Sequence, residues 1–290
     1  MADAARAVAG DVDVRAHWRA IAIIGVLTGL LSGLLGIGGA AILVPGMVEV
    51  LGMSQHRATG TSLFVIIPTA LVSAVPYALS GQMDVVLVAL FSATAVVGAM
   101  LGARATARVS ALSLRRMFGI FLLFVAVRLL IPGGSASNSQ AVDILTQSPI
   151  TTAGEGLLGF VAGFLSGLLG IGGGQVLTPG MVFLFDAPQK LAQGISIAFI
   201  VPTAISGAYT HYRRGNVVPR VGYVLIPCSM VAGFVGSSLA QQIDPFALRT
   251  GFAFFLIYGG VRMLSPQLVN RLLRRLGSSR PIPAAAQKNG

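Results

Sequence analysis

The sequence predicts an all-α polytopic membrane protein made of two inverted repeats. Each repeat is read as a broken re-entrant helix pair plus three spanning helices. Three observations carry that prediction. The first is composition: 290 residues are 54% hydrophobic and only 10% charged, with mean hydropathy +0.83, too little charge for a soluble domain of this size. The second is a tandem duplication. Gly25–Val48 (GVLTGLLSGLLGIGGAAILVPGMV) recurs as Gly159–Val182 (GFVAGFLSGLLGIGGGQVLTPGMV), with sixteen of 24 positions identical and no gap. The register holds from there to Pro132 and Pro266. The third is a glycine cluster that interrupts the first apolar segment of both copies. Gly- or Pro-interrupted apolar segments at matching positions of two halves point to a binding site between them.

Each copy has four apolar segments. In the first copy they lie near Trp18–Leu51, Thr59–Leu79, Asp84–Ala103 and Ser113–Ile131. In the second they lie near Gly156–Phe185, Gln193–Tyr212, Val218–Ser238 and Ala247–Leu264. The last three of each copy are near 20 residues, the length of a spanning helix. The first segment, at about 30 residues, would be roughly 45 Å as one helix, too long for a core of roughly 30 Å. Gly36-Ile37-Gly38-Gly39 and Gly170-Ile171-Gly172-Gly173-Gly174 break it, because consecutive glycines disfavour a continuous helix. The pieces left are about 18 and 12 residues, and the second is too short to cross. Each first segment is therefore read as entering the membrane, turning at the glycines and leaving on the same side. Such backbone is tolerated at depth only where protein or a water-filled cavity surrounds it.

Charge placement agrees. With the N-terminus inside, Arg57, Arg104, Arg108, Arg115, Arg116, Arg213, Arg214, Arg220 and the basic tail fall inside, and only Lys190 and Arg249 fall outside. Four plain crossings per copy would instead put Arg104, Arg108, Arg115 and Arg116 outside. An odd number of crossings per copy makes the two halves face opposite ways. The organisation read from this is a cytoplasmic N-terminal segment (1–17), a first transmembrane repeat (18–132), an extracytoplasmic linker (133–154), a second repeat (155–266) and a basic cytoplasmic tail (267–290). Both termini are expected in the cytoplasm, with the chain in the cell inner membrane.

The net charge of +11 follows from loop and tail arginines, so nucleic acid is not an expected partner. One cysteine, Cys228, in an apolar run, permits no intramolecular disulfide. No cofactor and no metal site is read from the chain. Expected partners are a small anionic substrate and the lipid bilayer, and the reading also allows a homo-oligomer. All nine acidic residues lie at segment ends, in loops or in tails, which argues against cation transport and against a coupling carboxylate at depth.

What depth offers instead is backbone dipole. A new half-helix starts after each glycine run, near Ala40 and near Gln175, and its free N–H groups and positive end favour an anion. The second spanning segment adds Pro68-Thr69 and Pro202-Thr203, where proline frees backbone carbonyls and threonine can answer them or a ligand. The candidate binding set is Gly36, Gly38, Gly39, Ala40, Thr61, Ser62, Thr69, Gly170, Gly172, Gly173, Gly174, Gln175, Gln193, Ser196 and Thr203. Gln175 stands where the first copy has Ala41, so the site is expected to be lopsided. Plain small-residue packing accounts equally well for Gly29, Ser32 and Gly33, but packing does not require consecutive glycines. No intramembrane carboxylate pair, histidine cluster or nucleophilic cysteine suggests an enzyme.

The duplicated G-x-x-S-G-x-x-G-x-G-G-(G)-x-x-x-x-P block, followed in each copy after about 20 residues by Pro-Thr, resembles the TauE/SafE sulfite-exporter family over residues 20–266. The motif positions are Gly36, Gly38, Gly39 and Pro45, then Gly170, Gly172, Gly173, Gly174 and Pro179. Ala40 in place of a fourth glycine is a departure in the first copy. The resemblance implies transport of sulfur-containing anions such as sulfite, sulfonates, sulfoacetate or thiosulfate across a prokaryotic inner membrane. An inside-negative potential would favour anion export; an anion channel or proton-coupled organosulfonate uptake are the alternatives.

Overall fold

The computed structural model describes residues 14–105, most of 119–130, 149–169 and 172–264. The described residues form helices joined by short connections. In the first copy these are α1 (Val14–Leu35), α2 (Ala40–Leu51), α3 (Gln55–Leu79) and α4 (Val85–Ala105). Helical residues within 119–130 follow. The second copy gives α5 (Pro149–Leu169), α6 (Gly174–Leu184), α7 (Gln189–Arg213), α8 (Pro219–Gln242) and α9 (Pro245–Leu264). By length and apolarity, α1, α3, α4, α7 and α8 can each cross a membrane. Gly170 and the tail at 267–290 lie outside the described residues.

The long first segments break where the glycines stand. Gly36, Gly38 and Gly39 have φ of 71°, 78° and 70°, and Gly172 and Gly173 have φ of 83° and 75°. Other residues resist this left-handed region. One boundary differs from expectation. The second copy's first helix starts at Pro149, inside the expected linker, because proline suits a helix's first turn. Glu155 is thereby carried into α5 rather than left at a segment end.

Glycine contacts fix how the helices pair. Gly29 and Gly33 of α1 lie against the backbone of Ser229, Gly233 and Ser237 on α8. Gly163 and Gly167 of α5 lie in the same way against Ala95 and Ala99 on α4. The two sets are related residue for residue by the 134-position offset, so the first helix of each copy packs on the fourth helix of the other. Small residues allow this close backbone approach.

Directions follow from the same contacts. Residue numbers rise together along α1 and α8, where Gly25 meets Leu225 and Gly33 meets Ser237. They also rise together along α3 and α8: Val218 N–H donates to Thr61 Oγ1 at 3.0 Å, Thr69 and Ser229 hydroxyls lie 2.7 Å apart, and Gly233 meets Ser73. Hence α1, α3 and α8 point the same way. Along α3 and α7 the numbers run oppositely: Gly60 meets His211, Leu63 meets Gly207 and Tyr77 meets Gly194. These equivalent helices are antiparallel and cross near Pro68-Thr69 and Pro202-Thr203. The core gathers on them, with Leu63, Val65, Ile66, Ile195, Ile197, Phe199 and Ile200 all buried.

Helix direction also sorts the charges. His17, Arg19, Arg57, Arg104, Arg213, Arg214 and Arg220 lie toward one end of the bundle, with Glu49; Asp84, Glu155, Asp186, Lys190, Asp244 and Arg249 lie toward the other.

Candidate binding site between the glycine breaks

The two breaks meet. A Cβ on Gly38 would fall 2.8 Å from Ile200 Cδ1, and one on Gly174 would fall 2.7 Å from the same atom and 2.8 Å from the Gly36 carbonyl oxygen. Thr178, on α6, donates to that carbonyl at 3.3 Å. Ile200 is fully buried and stands as a wedge between the turns.

Each short helix starts from a left-handed glycine, Gly39 or Gly173, with no side-chain oxygen capping it. The first bonds that close the helices come from Ile42 and Val176. The earlier amides, Ala40 and Ala41 in one copy and Gly174 and Gln175 in the other, precede the first closed turn. Two positive helix ends thus lie on either side of one residue, in surroundings without an ionisable group among Gly36–Val44 or Gly172–Met181.

Side chains around the breaks carry unspent hydrogen-bonding capacity. Thr28 Oγ1 and Ser32 Oγ, beside Gly39, have no partner; nor do Gln175 Nε2, Gln193 Nε2 and Ser196 Oγ. All five residues are at most 2% exposed. A buried polar group without a partner costs about 1–3 kcal/mol. A polar solute or water entering between the breaks would answer them.

The expected set divides accordingly. Gly36, Gly38, Gly39, Ala40, Gly172, Gly173, Gly174, Gln175 and Gln193 line the meeting point, and Ser196 lies one turn from Ile200 on α7. Thr61, Ser62, Thr69 and Thr203 are committed elsewhere. Thr61 accepts from Val218 at the start of α8. Ser62 donates to Thr59 O at 2.8 Å, and Thr69 to Val65 O at 2.9 Å. Thr203 lies 2.9 Å from Ile200 O. Hydroxyls that follow a helix proline satisfy their own helix first.

The residues not anticipated are Ile200, Thr178, Thr28 and Tyr77; Ser32 reads equally well as a packing residue and stands outside the candidate set. Tyr77 is fully buried, and its hydroxyl lies 2.9 Å from Gly33 O and 3.2 Å from Gln193 Oε1. It ties α3 to the last turn of α1 and to the carboxamide facing Gly36. A signal existed for Thr28 and Ser32: both fall one or two helical turns before the break, on the face of Leu35.

Comparison with known proteins follows the same outline. The sequence matches the family described as "Sulfite exporter TauE/SafE" over residues 4–129 and 156–287, one match per copy. It is 27% identical to the Bacillus subtilis "Probable membrane transporter protein YunE", over 84% of this chain and 96% of that protein. It is also 27% identical to a "Probable membrane transporter protein" of Methanocaldococcus jannaschii, over 83% of this chain and 93% of the relative. A Haemophilus influenzae protein of the same description is 36% identical over 37% of this chain and 44% of its own length. No solved structure matches. With both halves matched and relatives aligned almost end to end, the chain belongs to the TauE/SafE sulfite-exporter family, a family of multi-pass membrane transporters rather than of enzymes.

Proposed function

We propose that this protein is a secondary carrier for small sulfur-containing anions such as sulfite, sulfonates, sulfoacetate or thiosulfate. One observation carries the reading. Five buried, unpartnered polar groups and two uncapped helix N-termini converge where the glycine breaks meet, with no acidic group among them. Such a set donates hydrogen bonds and positive dipole, which suits a negative solute stripped of water.

The helix directions support an inverted repeat. Because α3 and α7 are antiparallel equivalents, the axis relating the copies lies across them, in the membrane plane. Because α1 and α3 point the same way, α2 returns the chain to its starting side, the course of a re-entrant pair. Length alone would let α1 cross, but α2, with 12 residues and about 18 Å of length, is too short to bring the chain back from a full crossing. The positive-inside rule supports a cytoplasmic basic end, with the N-terminus on that side of an inner membrane. Rocking of one half against the other about the Ile200 wedge would expose the site alternately.

Membrane potential drives an uncoupled anion outward by roughly 2.3 kcal/mol per charge per 100 mV, so export needs no co-ion. Proton-coupled uptake is the second reading, favoured by the placement of Glu155. The test is counterflow in proteoliposomes of the purified full chain with [35S]sulfite, [35S]thiosulfate and sulfoacetate. Saturable exchange, accelerated by unlabelled anion on the other side, is the expected result. Exchange of none of the three counts against the anion-carrier reading, and unitary currents in place of saturation count for a channel.

A further inference from the structure

Among the described residues, one carboxyl group is fully buried, and it lies outside the anion site. Glu155, on α5, has no solvent exposure, and neither carboxylate oxygen has a hydrogen-bond partner. Its equivalent in the first copy is Ile21, equally buried. A carboxyl group has replaced an apolar residue in a packed position, at one of the two halves only. Burial without a partner disfavours the ionised carboxylate and favours the protonated one.

Its position relates it to the breaks. Ala162 and Ser166, on the same stripe of α5, touch the Gly173 turn. Seven and eleven residues separate them from Glu155, roughly 10 and 16 Å along the helix. Among the described residues, the charged groups at this end on elements packed against α5 are Asp84 ahead of α4, Asp186 after α6 and Lys190 on α7. The Asp84 carboxylate already accepts from Val86 and Leu87 N–H. Lys190 Nζ is turned to Gln241 O at 2.8 Å. Among the described residues no cation is given to Glu155, and burial without a partner favours its protonated form.

Resting on the anion-carrier reading, we infer that Glu155 is a proton-binding site that couples anion movement to proton movement in the same direction. A proton from the outer water binds the carboxylate, and the same proton leaves to the inner water when the site faces inward. An anion held at the breaks repels the ionised carboxylate. At an effective dielectric constant of about 20, that repulsion over roughly 10–16 Å is worth about a tenfold change in proton affinity. By linkage, the proton raises anion affinity by the same factor. The loaded carrier holds both, and an inward proton gradient can then oppose the potential that would otherwise expel the anion.

The test uses the full chain in proteoliposomes with [35S]thiosulfate, which stays fully ionised across the range used, and with the potential clamped at zero. For the wild type, an outside-acid gradient should raise thiosulfate accumulation about tenfold per pH unit for each coupled proton. In Glu155→Gln that response should vanish while counterflow remains measurable. Labelling by dicyclohexylcarbodiimide, which attacks protonated carboxyls in apolar surroundings, gives a second readout on the wild type. Peptide mass spectrometry should find Glu155 labelled, with labelling falling as pH rises and thiosulfate moving the fall upward by about one pH unit. The coupling role is overturned if Glu155→Gln keeps the wild-type gradient response, if wild-type counterflow is indifferent to the gradient, or if Glu155 is never labelled. Absence of wild-type counterflow with every anion tested counts instead against the carrier reading, and the labelling decides proton occupancy on its own, as it does if the variant fails to fold.

Discussion

Replacing Gly38 by leucine should lower anion exchange at least about a hundredfold while leaving the protein inserted and monodisperse. Two terms act at this one position. A φ of 78° costs a residue with a Cβ about 1–3 kcal/mol. The added atoms also arrive on Ile200, the wedge between the breaks. A hundredfold loss corresponds to ~2.7 kcal/mol, within what strain and displacement supply together. The fold survives because the turn lies between two short helix ends rather than in a long packed interface. Counterflow in proteoliposomes, with size-exclusion profiles beside it, separates lost transport from lost fold. A Gly251→Leu control should leave both unchanged, since that glycine has no neighbour within 4 Å and an ordinary φ.

Replacing Gly29 by leucine should do the opposite: it should cost the fold itself. Its Cβ would meet the Ser229 carbonyl oxygen and come 2.9 Å from the Gly233 nitrogen. Both are backbone atoms that cannot rotate away. Helices in ordinary contact stand about 8–10 Å apart, and a leucine here would force α1 off α8. Overpacking typically costs about 1–3 kcal/mol where side chains can shift, and here the main chain must move. A destabilisation of about 4 kcal/mol or more is expected, in the range reserved for core disruption. Thermal unfolding in detergent would show a large fall in midpoint or loss of the monodisperse species. The equivalent Gly163→Leu, set against the Ala95 carbonyl oxygen, should behave alike. A wild-type unfolding midpoint in both variants would contradict the pairing of first and fourth helices across the copies.

Most of this architecture was legible in the chain because it is written twice. The 134-residue offset and the consecutive glycines report backbone geometry directly: paired copies, left-handed φ and a helix too short to cross. Side-chain partners were harder to read. Thr69 and Thr203 looked like ligand donors beside helix prolines, yet each reaches back to its own helix; spacing cannot say which of several carbonyls a hydroxyl finds. Ile200 reads as ordinary core until the crossing of α3 and α7 sets it between the breaks. Glu155 looked terminal because the apolar run begins after it, and only the earlier start of α5 at Pro149 carries its carboxyl inside. Its substitution for Ile21 across the repeat was the available signal.

The central claim is that an anion is held where the two breaks meet, by peptide dipoles and uncharged donors. Anomalous scattering from 2-bromoethanesulfonate, soaked into crystals of the full chain and shown to compete in counterflow, locates the solute directly. The account predicts one bromine peak between Gly38 and Gly174, with the sulfonate within hydrogen-bond reach of the Ala40 or Gln175 amides and Ile200 displaced. A peak at the lipid-facing surface or at either charged end of the bundle, with the space around Ile200 unchanged, would contradict it.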